Sequence, residues 1–138
     1  MHTSFYFERP FNLKERKRLK MFIASIFMSE HKRANSLNYI FCSDDYLLNI
    51  NKQFLQHDYY TDIITFNLSE SSDFITGEIY ISIDRLWENS ILHSTSLKEE
   101  LHRVMFHGVL HLCGYKDKTK KQQAEMRDKE NYYLKKFG

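Results

Sequence analysis

Between residues 107 and 117 the chain reads His-Gly-Val-Leu-His-Leu-Cys-Gly-Tyr-Lys-Asp, and no other segment restricts the fold so tightly. Two histidines four residues apart in an apolar, helix-compatible segment project from one helix face, one turn above the other. Their imidazoles can reach a single metal ion with ring nitrogens at about 2.0–2.1 Å. Gly114 can take the left-handed conformation that ends a helix. The chain can then fold back and bring Asp117 to the same ion. Three protein ligands with an open fourth position is the arrangement of a hydrolytic zinc, not of a structural one. The spacing therefore nominates His107, His111 and Asp117 as ligands of one Zn2+ per chain.

A pair of histidines at this spacing can also be ordinary core residues, each hydrogen-bonded to a neighbour. The flanking residues favour the metal reading. Val104, Met105, Phe106, Val109, Leu110 and Leu112 surround the pair with apolar side chains. Imidazoles buried there without partners are costly. Cys113 adjoins the site but lies two positions after His111, on a different helix face, which counts against it as a ligand.

A chain of 138 residues suits one domain, residues 1–138, with a single core. Hydrophobic residues make up 42 % and aromatic residues 15 %, enough to fold without disulfides. Cys42 and Cys113 read as buried, reduced thiols of a cytoplasmic protein. No basic stretch followed by an apolar one opens the chain, so no signal peptide is expected. No apolar run approaches a membrane span. A net charge of +2 excludes a protein that coats nucleic acid by charge alone, while leaving local phosphate contacts open.

The patterning predicts the order strand, helix, strand, helix, strand, strand, helix, helix, helix. Thr3 to Phe7 reads as an edge strand. Asn12 with Glu15 reads as the capping box of a helix whose apolar stripe is Leu19, Phe22, Ile23, Ile26 and Phe27. The basic residues from Lys14 to Lys20 read as its solvated face. Leu37 to Cys42, Thr61 to Leu68 and Phe74 to Ile83 read as strands. Asp44 and Asp45 are expected to cap one short helix and Asp84 another. Ser96 with Glu99, and Thr119 with Gln122, read as capping boxes of the histidine-bearing helix and of a last helix running to about Leu134. The expected fold is α+β: about four strands in a mixed sheet, helices packed on it, and the metal helix central and buried.

The run from His107 to Asp117 resembles the signature of the YbeY family of bacterial metal-dependent endoribonucleases, His-Gly-x-Leu-His-Leu-x-Gly-Tyr-Asp-His. It is carried here by His107, Gly108, Leu110, His111, Leu112, Gly114 and Tyr115. Asn51, Phe54, Asp58, Thr61, Asp62, Ile63, Ile64, Thr65 and Phe66 echo a second family segment. Gly77, Glu78, Ile79 and Ile81 echo a third, and together the resemblance spans almost the whole chain. Two positions depart from the pattern. Asp117 stands where the family has its third metal-binding His, and Leu55 stands where it has an Arg that faces the substrate phosphate. An anionic third ligand is expected to make bound water less acidic and the site more tolerant of other divalent ions.

The resemblance implies cleavage of single-stranded RNA in ribosomal RNA maturation, at the 16S rRNA 3′ end, and in ribosome quality control. The implied partners are single-stranded or ribosomal RNA and ribosomal small-subunit proteins. Gly108 occupies the slot where the His-Glu-x-x-His helix of zinc peptidases carries its general base, so a proton acceptor must come from elsewhere. His57 and Asp58 are polar candidates for proton transfer or substrate contact, with a capped loop as the ordinary alternative. Lys116, Lys118, Lys120 and Lys121 could meet flanking phosphates or form a solvated helix start. Tyr115 could stack on a base or close the helix end. The alternative function is a non-catalytic RNA-binding ribosome-assembly factor with a structural metal. An amide hydrolase and an iron oxygenase with a facial triad rank below both.

Overall fold

The computed structural model describes residues 1–138. Nine elements follow in the expected order: β1 (His2–Phe7), α1 (Arg16–Ser29), β2 (Ala34–Cys42), α2 (Asp44–Leu55), β3 (Ile63–Asn67), β4 (Ile75–Ser82), α3 (Ile83–Leu92), α4 (Leu97–Leu112) and α5 (Lys120–Phe137). The strands form one sheet in the order β1-β2-β4-β3. β1 and β4 run parallel to β2, and β3 runs antiparallel to β4, so the sheet is mixed as expected. α1 makes the crossover between parallel strands β1 and β2, while β3 and β4 form a hairpin.

Alternation along the strands decides which face is covered. Leu37, Tyr39 and Phe41 of β2 lie beside Gly77, Ile79 and Ile81 of β4 and present one apolar face. That face carries the main core, to which α1, α4 and α5 contribute Ile23, Phe27, Phe106, Val109 and Tyr133. α2 lies on the opposite face, where Leu47 packs with Cys42 and Ile64 in a smaller cluster. Both cysteines are free and buried.

α4 is the most enclosed helix, with ten of its residues buried from Glu100 to Leu112. The hydroxyl of Tyr39, itself fully buried, donates to the Met105 carbonyl at 2.9 Å and ties the sheet to the helix. Gly108 allows the close approach. A Cβ built there would meet Ile79 Cδ1 at 2.6 Å and Ile63 Cδ1 at 3.2 Å, so tight packing on β3 and β4 explains this glycine.

Helix starts depart from the sequence expectation at three places. Asn12 is not a cap: Leu13 is buried, Glu15 enters α1 in the left-handed region at φ 58°, and the helix begins at Arg16. Glu15 reaches Arg18 at 2.6 Å and Lys98 at 3.2 Å instead of bonding back to the backbone. Ser43, not the aspartates, caps α2, and Ser82, not Asp84, caps α3, each hydroxyl accepting an amide of the first turn. Asp44, Asp45 and Asp84 fall inside the first turn, where the helix dipole favours a carboxylate. Thr119 and Gln122 form the expected reciprocal capping box, and α5 continues to Phe137.

Candidate metal centre

His107 and His111 sit one turn apart on α4 with ring centroids separated by 4.5 Å. Gly114 follows the helix end at φ +106°, a conformation that glycine adopts without strain, and turns the chain back. Asp117 then returns beside the histidines. Its Oδ2 lies 3.2 Å from His111 Nε2 and 3.4 Å from His107 Nε2. One ligand-type atom from each of the three side chains lies within 4.8 Å of the others.

The hydrogen bonds at the far side of each imidazole assign its proton. His111 Nδ1 meets the Tyr115 carbonyl at 2.9 Å, an oxygen that can only accept, so Nδ1 carries hydrogen. His107 Nδ1 meets Glu130 Oε2 at 2.6 Å. Burial opposes ionisation of Glu130, yet hydrogen bonds from His107 and Arg103 hold its carboxyl below the usual range. His107 Nδ1 is therefore the donor as well. Both Nε2 lone pairs then face a carboxylate oxygen, and three electron-rich atoms converge on one point. A divalent cation satisfies them. Tetrahedral bonds of about 2.0–2.1 Å place ligand atoms roughly 3.3–3.4 Å apart, matching the two separations from Asp117. The residues present thus fit a divalent ion. Without one, a proton is the alternative. Burial opposes charge on His107, but Glu130, Asp117 and Asp62 raise its pKa above the ordinary value.

The three side chains open into a cleft of about 610 Å³. Its other walls include Asp62, Thr65, Asn89, Glu100, Arg103 and Arg127. Glu100 is buried and committed, accepting from Thr95 at 2.7 Å and meeting His93 Nδ1 at 3.1 Å. Arg103 is held by Glu130 at 2.9 Å. Asp62 accepts only a 3.3 Å side-chain hydrogen bond, from Asn89. Burial raises its carboxyl pKa against the lowering effect of His107.

Sequence reasoning missed Glu130 and the Tyr115 carbonyl, and singled out Asp62 only as part of a family segment, without a role. Glu130 had a readable signal: it shares the buried face of α5 with Met126, Tyr133 and Phe137. A carboxylate on an apolar stripe asks for a partner. Other expectations move away from the centre. His57 bonds the Tyr59 hydroxyl and Asp58 pairs with Lys52, and neither lines the cleft. The Tyr115 hydroxyl donates to Glu30 at 2.7 Å, closing the helix end. Cys113 stands outside the convergent group, its thiol pushed up to about 12 by burial. Lys116, Lys118, Lys120 and Lys121 are exposed and solvated.

The chain is similar to known proteins over nearly its whole length. The family model described as endoribonuclease YbeY matches residues 8–138. A protein named endoribonuclease YbeY from Cytophaga hutchinsonii is 49 % identical over 134 residues, covering 96 % of this chain and 94 % of the relative. Its namesake from Flavobacterium psychrophilum is 48 % identical, covering 97 % and 95 %. The solution structure of TM1509 from Thermotoga maritima superposes with a TM-score of 0.67 at 29 % identity, covering 99 % of this chain and 89 % of that one. No helix is long and apolar enough to cross a membrane.

Proposed function

This chain belongs to the endoribonuclease YbeY family, and on that premise we propose that it is a zinc-dependent endoribonuclease. Its substrate is single-stranded RNA, and its task is ribosomal RNA processing at the 16S rRNA 3′ end and ribosome quality control in the cytoplasm. The whole chain acts as one metallohydrolase domain. His107, His111 and Asp117 would hold the ion. The observation that carries this reading is the convergence of two Nε2 lone pairs on Asp117 Oδ2 at 3.4 and 3.2 Å beside an open cleft.

A bound divalent ion would supply Lewis acidity toward a phosphoryl oxygen and toward the attacking water. The protein supplies the rest. Glu130 and the Tyr115 carbonyl lock the two imidazoles in the Nδ1–H tautomer. The Asp117 side chain is 41 % exposed, which leaves the centre open to a phosphodiester. Gly108 is committed to packing, so the proton acceptor lies elsewhere on the cleft wall. Asp62 is its least committed carboxylate, because Glu100 and Glu130 are engaged by hydrogen bonds. Water gives a proton to Asp62 as its oxygen bonds to phosphorus. The bond from phosphorus to the leaving ribose oxygen breaks, that oxygen takes a proton from solvent water, and Asp62 releases its own proton to solvent.

Elemental analysis with a cleavage assay on ribosomal RNA tests this reading. We expect one zinc per chain, cleavage that stops with chelator and returns with zinc, and loss of both metal and cleavage in His107→Ala and His111→Ala. RNA cleavage by both variants at the parent rate overturns it. RNA binding without metal-dependent cleavage identifies the alternative, a non-catalytic assembly factor.

A further inference from the structure

The loop from α2 to β3 is pinned from inside. Gln56 ends α2 in the left-handed region. The buried Asn51 accepts from the His57 amide through its carbonyl at 3.1 Å and donates from its side chain to the Tyr59 carbonyl at 2.9 Å. Outside this anchor the loop shows aromatic rings. Tyr59 is 57 % exposed and Tyr60 47 %. His57 and Tyr59 form a fixed pair, stacked at 5.1 Å with the hydroxyl on Nδ1 at 2.9 Å. The Tyr60 hydroxyl donates to Asp45 at 3.1 Å, and the Arg85 guanidinium lies 5.0 Å from its ring centroid. Rings held this firmly and left this open suit stacking on planar ligands, because little side-chain freedom remains to be lost.

The rings stand next to the metal centre. Arg85 and Asn89 lie four apart on one face of α3, about 6 Å along its axis. Asn89 and Thr61, the residue after Tyr60, both line the cleft that holds His107. Tyr60 thus directly precedes one residue of the cleft wall, and its ring lies against Arg85, one turn of α3 from another. Of the nearby carboxylates, Asp58 pairs with Lys52 at 3.3 Å and Asp44 with Arg85 at 3.1 Å, while Asp45 is engaged only by the Tyr60 hydroxyl. Position 55, at the start of this segment, offers an apolar Leu and no cation.

We propose that Tyr60 and Tyr59 are a base-stacking platform that grips single-stranded RNA beside the metal centre. The proposal rests on the nuclease reading of the metal centre. Every base has a stackable face, so the platform confers grip and not sequence choice.

The test uses zinc-loaded protein with Tyr60→Leu, Tyr59→Leu and the ring-preserving Tyr60→Phe and Tyr59→Phe, together with short single-stranded RNA. We expect the Leu variants to raise KM about tenfold with kcat and zinc content within about twofold, and the Phe variants, which keep the ring but lose the hydroxyl bond that holds it, to raise KM less than the Leu variants do. An abasic nucleotide next to the cleaved phosphate should weaken the parent about tenfold and the Leu variants hardly at all. That comparison is made on each protein against itself and so is independent of any loss of folded material. Equal abasic penalties in parent and Leu variants, with a parent that cuts RNA, overturn the platform and leave the nuclease reading intact. A parent that neither binds nor cuts RNA removes both.

Discussion

Glu130 Oε2 lies 2.6 Å from His107 Nδ1, which turns the opposite nitrogen of that imidazole toward Asp117. The contact joins α5 to α4 across 23 residues of sequence. It makes the candidate metal centre a product of helix packing and not of the histidine helix alone.

Replacing Glu130 should therefore loosen the centre without touching a proposed ligand. Glu130→Gln is expected to weaken zinc binding about tenfold to a hundredfold, the usual effect of losing such a carboxylate. Competition with a chromophoric chelator measures it. Zinc affinity equal to that of the parent rules out this role for Glu130.

Asp62→Asn keeps the side chain's size and its contact with Asn89 but cannot take a proton. The expected result is a fall in kcat of about a hundredfold or more with zinc content unchanged. A variant with full kcat on single-stranded RNA would show that another group accepts the proton.

Gly108→Ala gains helix propensity of about 1 kcal/mol but forces a methyl group against Ile79 Cδ1. Overpacking of this kind costs about 1–3 kcal/mol, so a net loss of stability is expected in urea unfolding. Ile79→Val removes the opposing methyl and should restore part of that loss in the double variant. Simple additivity of the two changes contradicts the packing account.

His102 is only 6 % exposed, and burial together with the charge of Lys98 pushes its pKa down to about 4. In the unfolded chain a histidine titrates near 6.5. Between those values the unfolded state binds a proton that the folded state refuses. Stability is unaffected by His102 above about pH 6.5 and falls as the pH drops toward 4, by at most about 1.4 kcal/mol per unit. Urea unfolding of chelator-treated protein at pH 7 and pH 5 reads this. His102→Leu should show a smaller difference between the two pH values than the parent does.

Glu30, at the end of α1, accepts from Tyr115 at 2.7 Å, from Lys129 at 3.2 Å and from Tyr133. Glu30→Ala strands the hydroxyl of the buried Tyr133 and frees the loop whose carbonyl holds His111. A loss of about 2–3 kcal/mol is expected, together with weaker zinc retention. Unchanged zinc affinity in a folded Glu30→Ala protein separates the loop from the centre.

Local rules made much of this protein legible in its sequence. The four-residue spacing of His107 and His111, the glycine at 114 and the carboxylate at 117 are short-range facts, and so is the Thr119–Gln122 capping box. The β-rich runs at 37–42 and 74–83 likewise declared strands, because strand propensity is a property of the segment itself. Cap identities at Ser43 and Ser82 were misread because serine and aspartate compete for the same amides, and long-range partners settle where Asp44 and Asp84 go. Glu130 and Asp62 reach the centre from α5 and the approach to β3, and Glu30, at the end of α1, holds Tyr115, whose carbonyl meets His111. Their roles follow from which helix lies on which strand, and that is set by burial of the shared core. The spacing within one helix can nominate ligands, but proton positions, orientation and access come from groups distant in sequence, and only packing brings those together.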